Sequence, residues 1–109
     1  MKIKDCNTYV KIYIAGDIEQ IKNIAQDYCF KIGQCVTITP TTYVYTGGRE
    51  EGAEIGFINY PRFPEKEEII WDQAMELTSK LINETFQLSA TVMTPNITSF
   101  ISRKDEIKR

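Results

Sequence analysis

Histidine is absent from this chain of 109 residues. That excludes a Ser-His-Asp or Cys-His nucleophile pair and any histidine metal ligand. Basic runs are also missing. Thirteen basic residues stand against fifteen acidic ones, with no basic stretch longer than two, so there is no electrostatic footprint for DNA or RNA. The longest apolar run falls far short of the roughly 20 residues that cross a bilayer. The opening Met1-Lys2-Ile3-Lys4-Asp5 lacks the apolar stretch of a signal peptide. Together these place the protein in a cytoplasm, with no membrane partner. Only three cysteines occur, Cys6, Cys29 and Cys35, with no C-x-x-C spacing. They are too few for a Cys-only zinc site and read as small core thiols. Neither G-x-G-x-x-G nor G-x-x-x-x-G-K occurs. Asn83-Glu84-Thr85 and Asn96-Ile97-Thr98 match the glycosylation sequon, by chance in a protein without a secretory signal.

What is present is enough for one core. The apolar fraction of 42% is ordinary for a globular chain. A domain of this length buries roughly two thirds of its unfolded surface, so one domain over residues 1–109 needs no disulfide or metal. Val10, Ile12 and Ile14 alternate with Tyr9, Lys11 and Tyr13, which predicts a half-buried strand. Gly16-Asp17 breaks it and offers an N-cap. Ile18, Ile21, Ala25, Tyr28 and Ile32 then recur at helical spacing until Gly33. The β-branched segments 35–39 and 43–45 predict a hairpin turning at Pro40-Thr41-Thr42. A longer glycine-bounded loop, 46–52, leads to a strand from Ala53 to Tyr60. A second helix is expected from Glu65 to Gln87, then a hairpin through Thr94-Pro95-Asn96. The expectation is an α+β fold of order β-α-β-β-β-α-β-β, an antiparallel or mixed sheet with two helices on one face.

The second helix carries two apolar stripes. Ile70, Ala74, Leu77 and Leu81 form one; Trp71, Met75, Ile82 and Phe86 form the other. Two stripes exceed the usual apolar arc of roughly 100°. Either this helix lies deep in the fold, or Trp71, Met75 and Phe86 meet another copy.

No catalytic constellation stands out. Glu65, Glu67 and Glu68 read as first-turn helix charges, and no serine has a visible activating base. Two loops suit a phosphate-bearing ligand better. In Thr46-Gly47-Gly48-Arg49 the glycines free backbone N–H groups and the guanidinium can grip a phosphate; an exposed hairpin turn accounts for the same residues. Asn59-Tyr60-Pro61-Arg62-Phe63-Pro64 holds an amide, a phenol, a guanidinium and a phenyl ring on a proline-stiffened crossover. That segment also suits a plain strand-to-helix connection. Phe86 and Asn96 have packing and turn explanations, and Arg103 and Arg109 read as tail charges.

The blocks C-V-T-I-T-P-T at 35–41, Y-T-G-G-R-E-E-G at 45–52 and G-F-I-N-Y-P-R-F-P at 56–64 resemble a family of small phage proteins, the Thoeris anti-defence sponges. The resemblance is densest from Cys35 to Leu81. It implies a phage protein in the infected host's cytoplasm that binds a TIR-derived cyclic ADP-ribose isomer without cleaving it, hence no enzyme and no cofactor. It also implies homo-oligomers with pockets at subunit boundaries, and cyclic di- or trinucleotides as further ligands. Arg62 and Asn59, with Tyr60 and Phe63, and Thr46 to Arg49 stand in matching blocks. Phe86, Asn96 and a tail arginine, Arg103 or Arg109, would complete the pocket. A protein-binding inhibitor docking on a host enzyme is the alternative. A nucleotide hydrolase or cyclase working through carboxylates is the third.

Overall fold

The computed structural model describes residues 8–103. Seven elements follow one another: β1 (Tyr9–Ala15), α1 (Ile18–Ile32), β2 (Val36–Tyr45), β3 (Gly48–Ile58), α2 (Glu67–Glu84), β4 (Ser89–Met93) and β5 (Thr98–Ser102). The strands make one antiparallel sheet in the order β2-β3-β1-β4-β5. The α+β architecture is the one expected.

The alternation in β1 sets the layers. Val10, Ile12 and Ile14 are buried, and they pair with Phe57, Ile55 and Ala53 of β3. Those residues share a face with Val92 and Ala90 of β4 and with Ile21, Ala25 and Tyr28 of α1 in one core. Burying an apolar side chain of this size contributes roughly 1.5–3 kcal/mol. The helix starts and stops follow local chemistry. Asp17 accepts a hydrogen bond from the Gln20 amide at 2.9 Å, and Gly33 takes a left-handed φ of 72° to close α1.

The deep stripe of α2, Ile70, Ala74, Leu77 and Leu81, is fully buried. The second stripe divides. Ile82 is buried, and Trp71 and Met75 are half-buried against the core. Phe86 lies beyond the helix end and is exposed.

The segment 35–45 departs from expectation. No turn interrupts it at Pro40; β2 runs straight through, and Pro40 pairs with Ala53. β2 lies at the edge of the sheet, where a missing N–H can face solvent without breaking a ladder. The turn falls instead at Thr46-Gly47, where Gly47 has φ 92°. The loop expected over 46–52 is therefore strand from Gly48 onward, paired with β2.

Two phenols tie this fold to pH, Tyr28 in the core and Tyr43 half-buried on β2. Tyr28 donates to Glu76 Oε1 at 2.6 Å and to the Gln73 carbonyl at 3.2 Å. Burial, then the bond to Glu76, holds its hydroxyl well above the ordinary value of 10.0. Tyr43 donates to the Ala53 carbonyl at 2.6 Å, and burial pushes it up to about 12. Both folded-state values exceed the unfolded one, so above pH 10 the folded chain keeps protons that the unfolded chain releases. Stability is then fully present below pH ~10 and is lost as pH climbs through ~12. Urea melts at pH 9 and pH 11 are expected to show a lower midpoint at pH 11. The drop should shrink in Tyr43→Phe.

Candidate functional site

One end of the sheet carries a cleft. Its floor is the start of β1, its wall the first turns of α2, and its far rim the β4–β5 turn. Two cavities there share Thr8, Glu67 and Glu68. One, about 550 Å³, is lined further by Val10, Trp71 and Thr94 to Ile97. The other, about 580 Å³, is lined further by Asn59 and Pro64 to Lys66. Both volumes fall within the ~300–1,000 Å³ of small-molecule sites.

The elements position these side chains by ordinary local chemistry. Asn59 closes a bracket across the crossover. Its Nδ2 donates to the Glu65 carbonyl at 2.9 Å, and the Glu65 amide donates to its Oδ1 at 3.0 Å. The Asn59 amide donates to the Thr8 carbonyl at 3.3 Å, so the crossover is tied to the mouth of β1. Thr8 donates through Oγ1 to Glu67 Oε1, fixing that carboxylate between β1 and α2. On the opposite rim, Thr94 Oγ1 accepts from the Asn96 amide at 3.2 Å and the Ile97 amide at 3.0 Å. This threonine-centred turn holds Asn96 and Ile97 over the cavity edge.

The cleft is two-sided in chemistry. Val10, Trp71, Pro95 and Ile97 make an apolar wall. Among the described lining residues, three carboxylates, Glu65, Glu67 and Glu68, stand beside one ammonium, Lys66. A flat apolar group suits the Trp71 side. A cation suits the side of the carboxylates.

The residues singled out in the sequence fall into four separate places. Asn59 and Asn96 line the cleft. Arg62 and Phe63 sit outside it on the exposed tip of the crossover, the guanidinium 5.4 Å from the ring. Thr46, Gly47, Gly48 and Arg49 form the far end of the β2–β3 hairpin. Gly48 and Ile58 bound β3, and roughly 33 Å of strand separates them. Phe86 and Arg103 lie past the other end of α2, a helix of 18 residues and about 27 Å in length. Arg109 lies outside the described residues.

Arg103 has a structural task where it stands. Its guanidinium donates to the carbonyls of Ile82 at 2.7 Å, Asn83 at 3.3 Å and Gln87 at 3.1 Å, and lies 5.6 Å from the Phe86 ring. It thereby satisfies the carbonyl end of α2, where cations are favoured. Phe86 takes φ 59° in the closing turn, a place usually given to glycine. Charge-assisted bonds of this kind contribute about 1.5–3 kcal/mol. Arg103→Ala is expected to lower stability by about 2 kcal/mol, near 10 °C in melting temperature. Its affinity for a ligand in the cleft should stay at the wild-type value, as titration calorimetry on the folded variant would show.

Sequence reasoning passed over Glu67, Glu68 and Trp71. The carboxylates read as helix-start charges, and Trp71 as part of a packing stripe. Both readings are correct as far as they go; what they omit is that one helix turn sets the three side chains along one cavity. Among the described residues no group of three or more acids, cysteines or histidines could hold a metal ion, and no helix is long and apolar enough to cross a membrane.

No protein-family model matches the chain, and no curated protein matches it in sequence. Solved structures do share its fold. A phage SAM lyase in its apo state superposes with a TM-score of 0.74 at 15% identity, over 95% of this chain and 97% of that one. A phage SAM lyase in complex with S-methyl-5'-thioadenosine superposes with a TM-score of 0.65 at 14% identity, over 95% of each chain. At such identity the likeness is one of fold. It nevertheless corrects the expectation of a protein without enzymatic activity: the solved chains that share this fold are named as lyases. The missing histidine and motifs had excluded histidine chemistry and nucleotide-loop chemistry, and nothing more.

Proposed function

We propose that the protein binds S-adenosylmethionine (SAM) in the cleft between β1, α2 and the β4–β5 turn, and cleaves it to methylthioadenosine. The observation that carries this reading is Trp71 beside Glu67 and Glu68 in one cavity of nucleoside size. The shared fold supports it. Each part of SAM has a counterpart in the cleft. Adenine fits the wall of Val10, Trp71, Pro95 and Ile97. Ribose hydroxyls meet Thr8, Thr94 and Asn96. The amino-acid tail lies towards Asn59 and the carboxylates.

Charge separates this ligand from a cyclic ADP-ribose isomer. The isomer brings two phosphates, which three carboxylates and one lysine would repel. SAM brings a sulfonium and an ammonium against a single carboxylate, and so a net positive charge. The chemistry also suits a chain without histidine. The bond broken joins the sulfonium sulfur to the γ-carbon of the amino-acid chain; its electrons stay on sulfur while the substrate's own carboxylate oxygen bonds to that carbon and closes a lactone. The departing thioether is neutral and needs no proton from a general acid. The sulfonium charge fades as that bond breaks, so a carboxylate held against sulfur would favour the ground state. Glu67 and Glu68 therefore serve best on the ammonium, whose charge persists through the step. The phage anti-defence role expected from the sequence is kept within this proposal, as removal of an adenosine-containing small molecule from the host.

Incubation with SAM, followed by chromatography and mass spectrometry, tests the reading. Methylthioadenosine should accumulate as SAM disappears. If SAM is recovered whole and gives no heat on titration, while a cyclic ADP-ribose isomer binds and returns intact, the reading is overturned in favour of sequestration.

A further inference from the structure

A second groove lies away from the cleft, between α1 and the start of β2. Its volume is about 470 Å³, and Cys29 and Cys35 both line it, among Ala25, Val36 and Ile38. The fold brings them together through the end of α1. The Gly33 amide donates to the Cys29 carbonyl at 2.9 Å, and the Gln34 amide donates to the same oxygen at 3.2 Å. Cys35 is thus one residue beyond a direct bond to the backbone of Cys29. The Gln34 side chain holds it there, accepting from the Cys35 amide at 2.9 Å while its Nε2 donates to Gln73 Oε1 at 2.9 Å.

The two thiols differ in setting. Cys35 is exposed and Cys29 is half-buried. Burial pushes the Cys29 thiol up, and the neighbouring Cys35 adds to that shift. The Cys35 sulfur lies 3.6 Å from the Tyr60 hydroxyl, which directly follows the cleft residue Asn59. A small apolar groove with one accessible thiol and one sheltered beside it has the parts of an attacking and a resolving cysteine.

We propose that Cys29 and Cys35 form a reversible intramolecular disulfide in the α1–β2 groove when the protein meets a hydroperoxide. The Cys35 thiol gives up its proton, the thiolate attacks the peroxide O–O bond and becomes a sulfenic acid, and the departing hydroxide takes that proton and leaves as water. Cys29 then attacks the Cys35 sulfur, the S–O bond breaks, and a second water leaves with the Cys29 proton. One peroxide and two thiols become one disulfide and two waters, so the two electrons are accounted for. A disulfide needs Cα atoms within about 7 Å, and the hydrogen bond from the Gln34 amide to the Cys29 carbonyl leaves Cys35 one peptide step from that contact. The proposal is independent of what the cleft binds.

The sequence supplies a direct test. Trypsin cuts after Lys22, Lys31 and Arg49, so Cys29 and Cys35 fall in separate peptides, 23–31 and 32–49. The full chain carrying Cys6→Ser is treated with one equivalent of hydrogen peroxide and then digested without reductant. The expected result is a mass lower by 2 Da, a linked pair of those two peptides, and return to the starting mass with dithiothreitol. Adding Cys29→Ser should abolish the 2 Da loss and leave a sulfenic acid on Cys35, trapped by dimedone. Three results would overturn the proposal: stable sulfinic acid at Cys35 with Cys29 present, a disulfide only between two chains, or free thiols on both peptides after treatment. Folding of each variant is read by circular dichroism, and labelling of unoxidised Cys35 in the native state confirms its access.

Discussion

The double variant Glu67→Gln, Glu68→Gln is expected to bind SAM about 30- to 100-fold more weakly than the parent, with a smaller loss for methylthioadenosine. The carboxylates line both cavities of the cleft, and glutamine keeps their size while removing their charge. Hydrogen bonds to charged groups contribute about 1.5–3 kcal/mol, and roughly 2–2.7 kcal/mol corresponds to the range above. Methylthioadenosine has neither sulfonium nor ammonium, so charge removal should reach it only through local packing. The ratio of the two affinities is therefore the informative quantity. It should fall in the double variant and stay near the parent's value in Trp71→Ala, where both ligands lose the same adenine contact. Calorimetric titration with each ligand supplies all the numbers. Equal weakening of both ligands in the double variant would place the ammonium elsewhere. Because these glutamates also sit at the start of α2, each charge removed costs about 0.3–1 kcal/mol of dipole compensation. Melting temperatures measured alongside separate that loss from binding.

Periodicity read the core well and the chemistry poorly, for a physical reason. Val10, Ile12, Ile14 and the α1 stripe are local patterns, and a strand or helix buries them in the same way wherever it packs. Asp17 and Gly33 mark the helix ends by their own backbone chemistry. Pro40 misled because its meaning depends on the neighbour that β2 lacks, and edge position is a property of the whole sheet. The cleft depends on even longer relations. Thr8, Asn59, Glu67 and Asn96 are far apart in the chain and meet only once β1 lies between β3 and β4. Asn59 and Asn96 stand out in the sequence as amides, one in the proline-stiffened crossover and one in a turn. Trp71 and Glu68 were hidden by adequate local explanations. Arg103 shows the converse: its charge suggested a ligand, and the fold gives it the carbonyl end of α2.

Gly52→Ala is expected to be the most damaging single-methyl change among the described glycines. Gly52 pairs with Ala15 at the end of β1, and the neighbouring Gly16 amide donates to the Glu51 carbonyl at 2.9 Å. A Cβ at Gly52 would lie 2.2 Å from the Ile14 carbonyl oxygen and 2.6 Å from the Ala15 Cα. Those are backbone atoms of the central strand, so no side chain can swing aside. Either β1 or β3 must move, which breaks the register that also pairs Ile14 with Ala53 and Ile12 with Ile55. Overpacking commonly costs about 1–3 kcal/mol, and a clash with backbone belongs at the upper end or above it. The expected loss is about 3–4 kcal/mol, a large part of the ~5–15 kcal/mol that holds a domain of this kind together. Gly33→Ala is the contrast. Nothing lies within 4 Å of its Cβ, so only its left-handed φ of 72° is at stake, a strain of about 1–2 kcal/mol. Urea denaturation of both variants should rank Gly52→Ala well below Gly33→Ala. Equal midpoints would mean that β1 and β3 can slide apart more freely than their pairing implies.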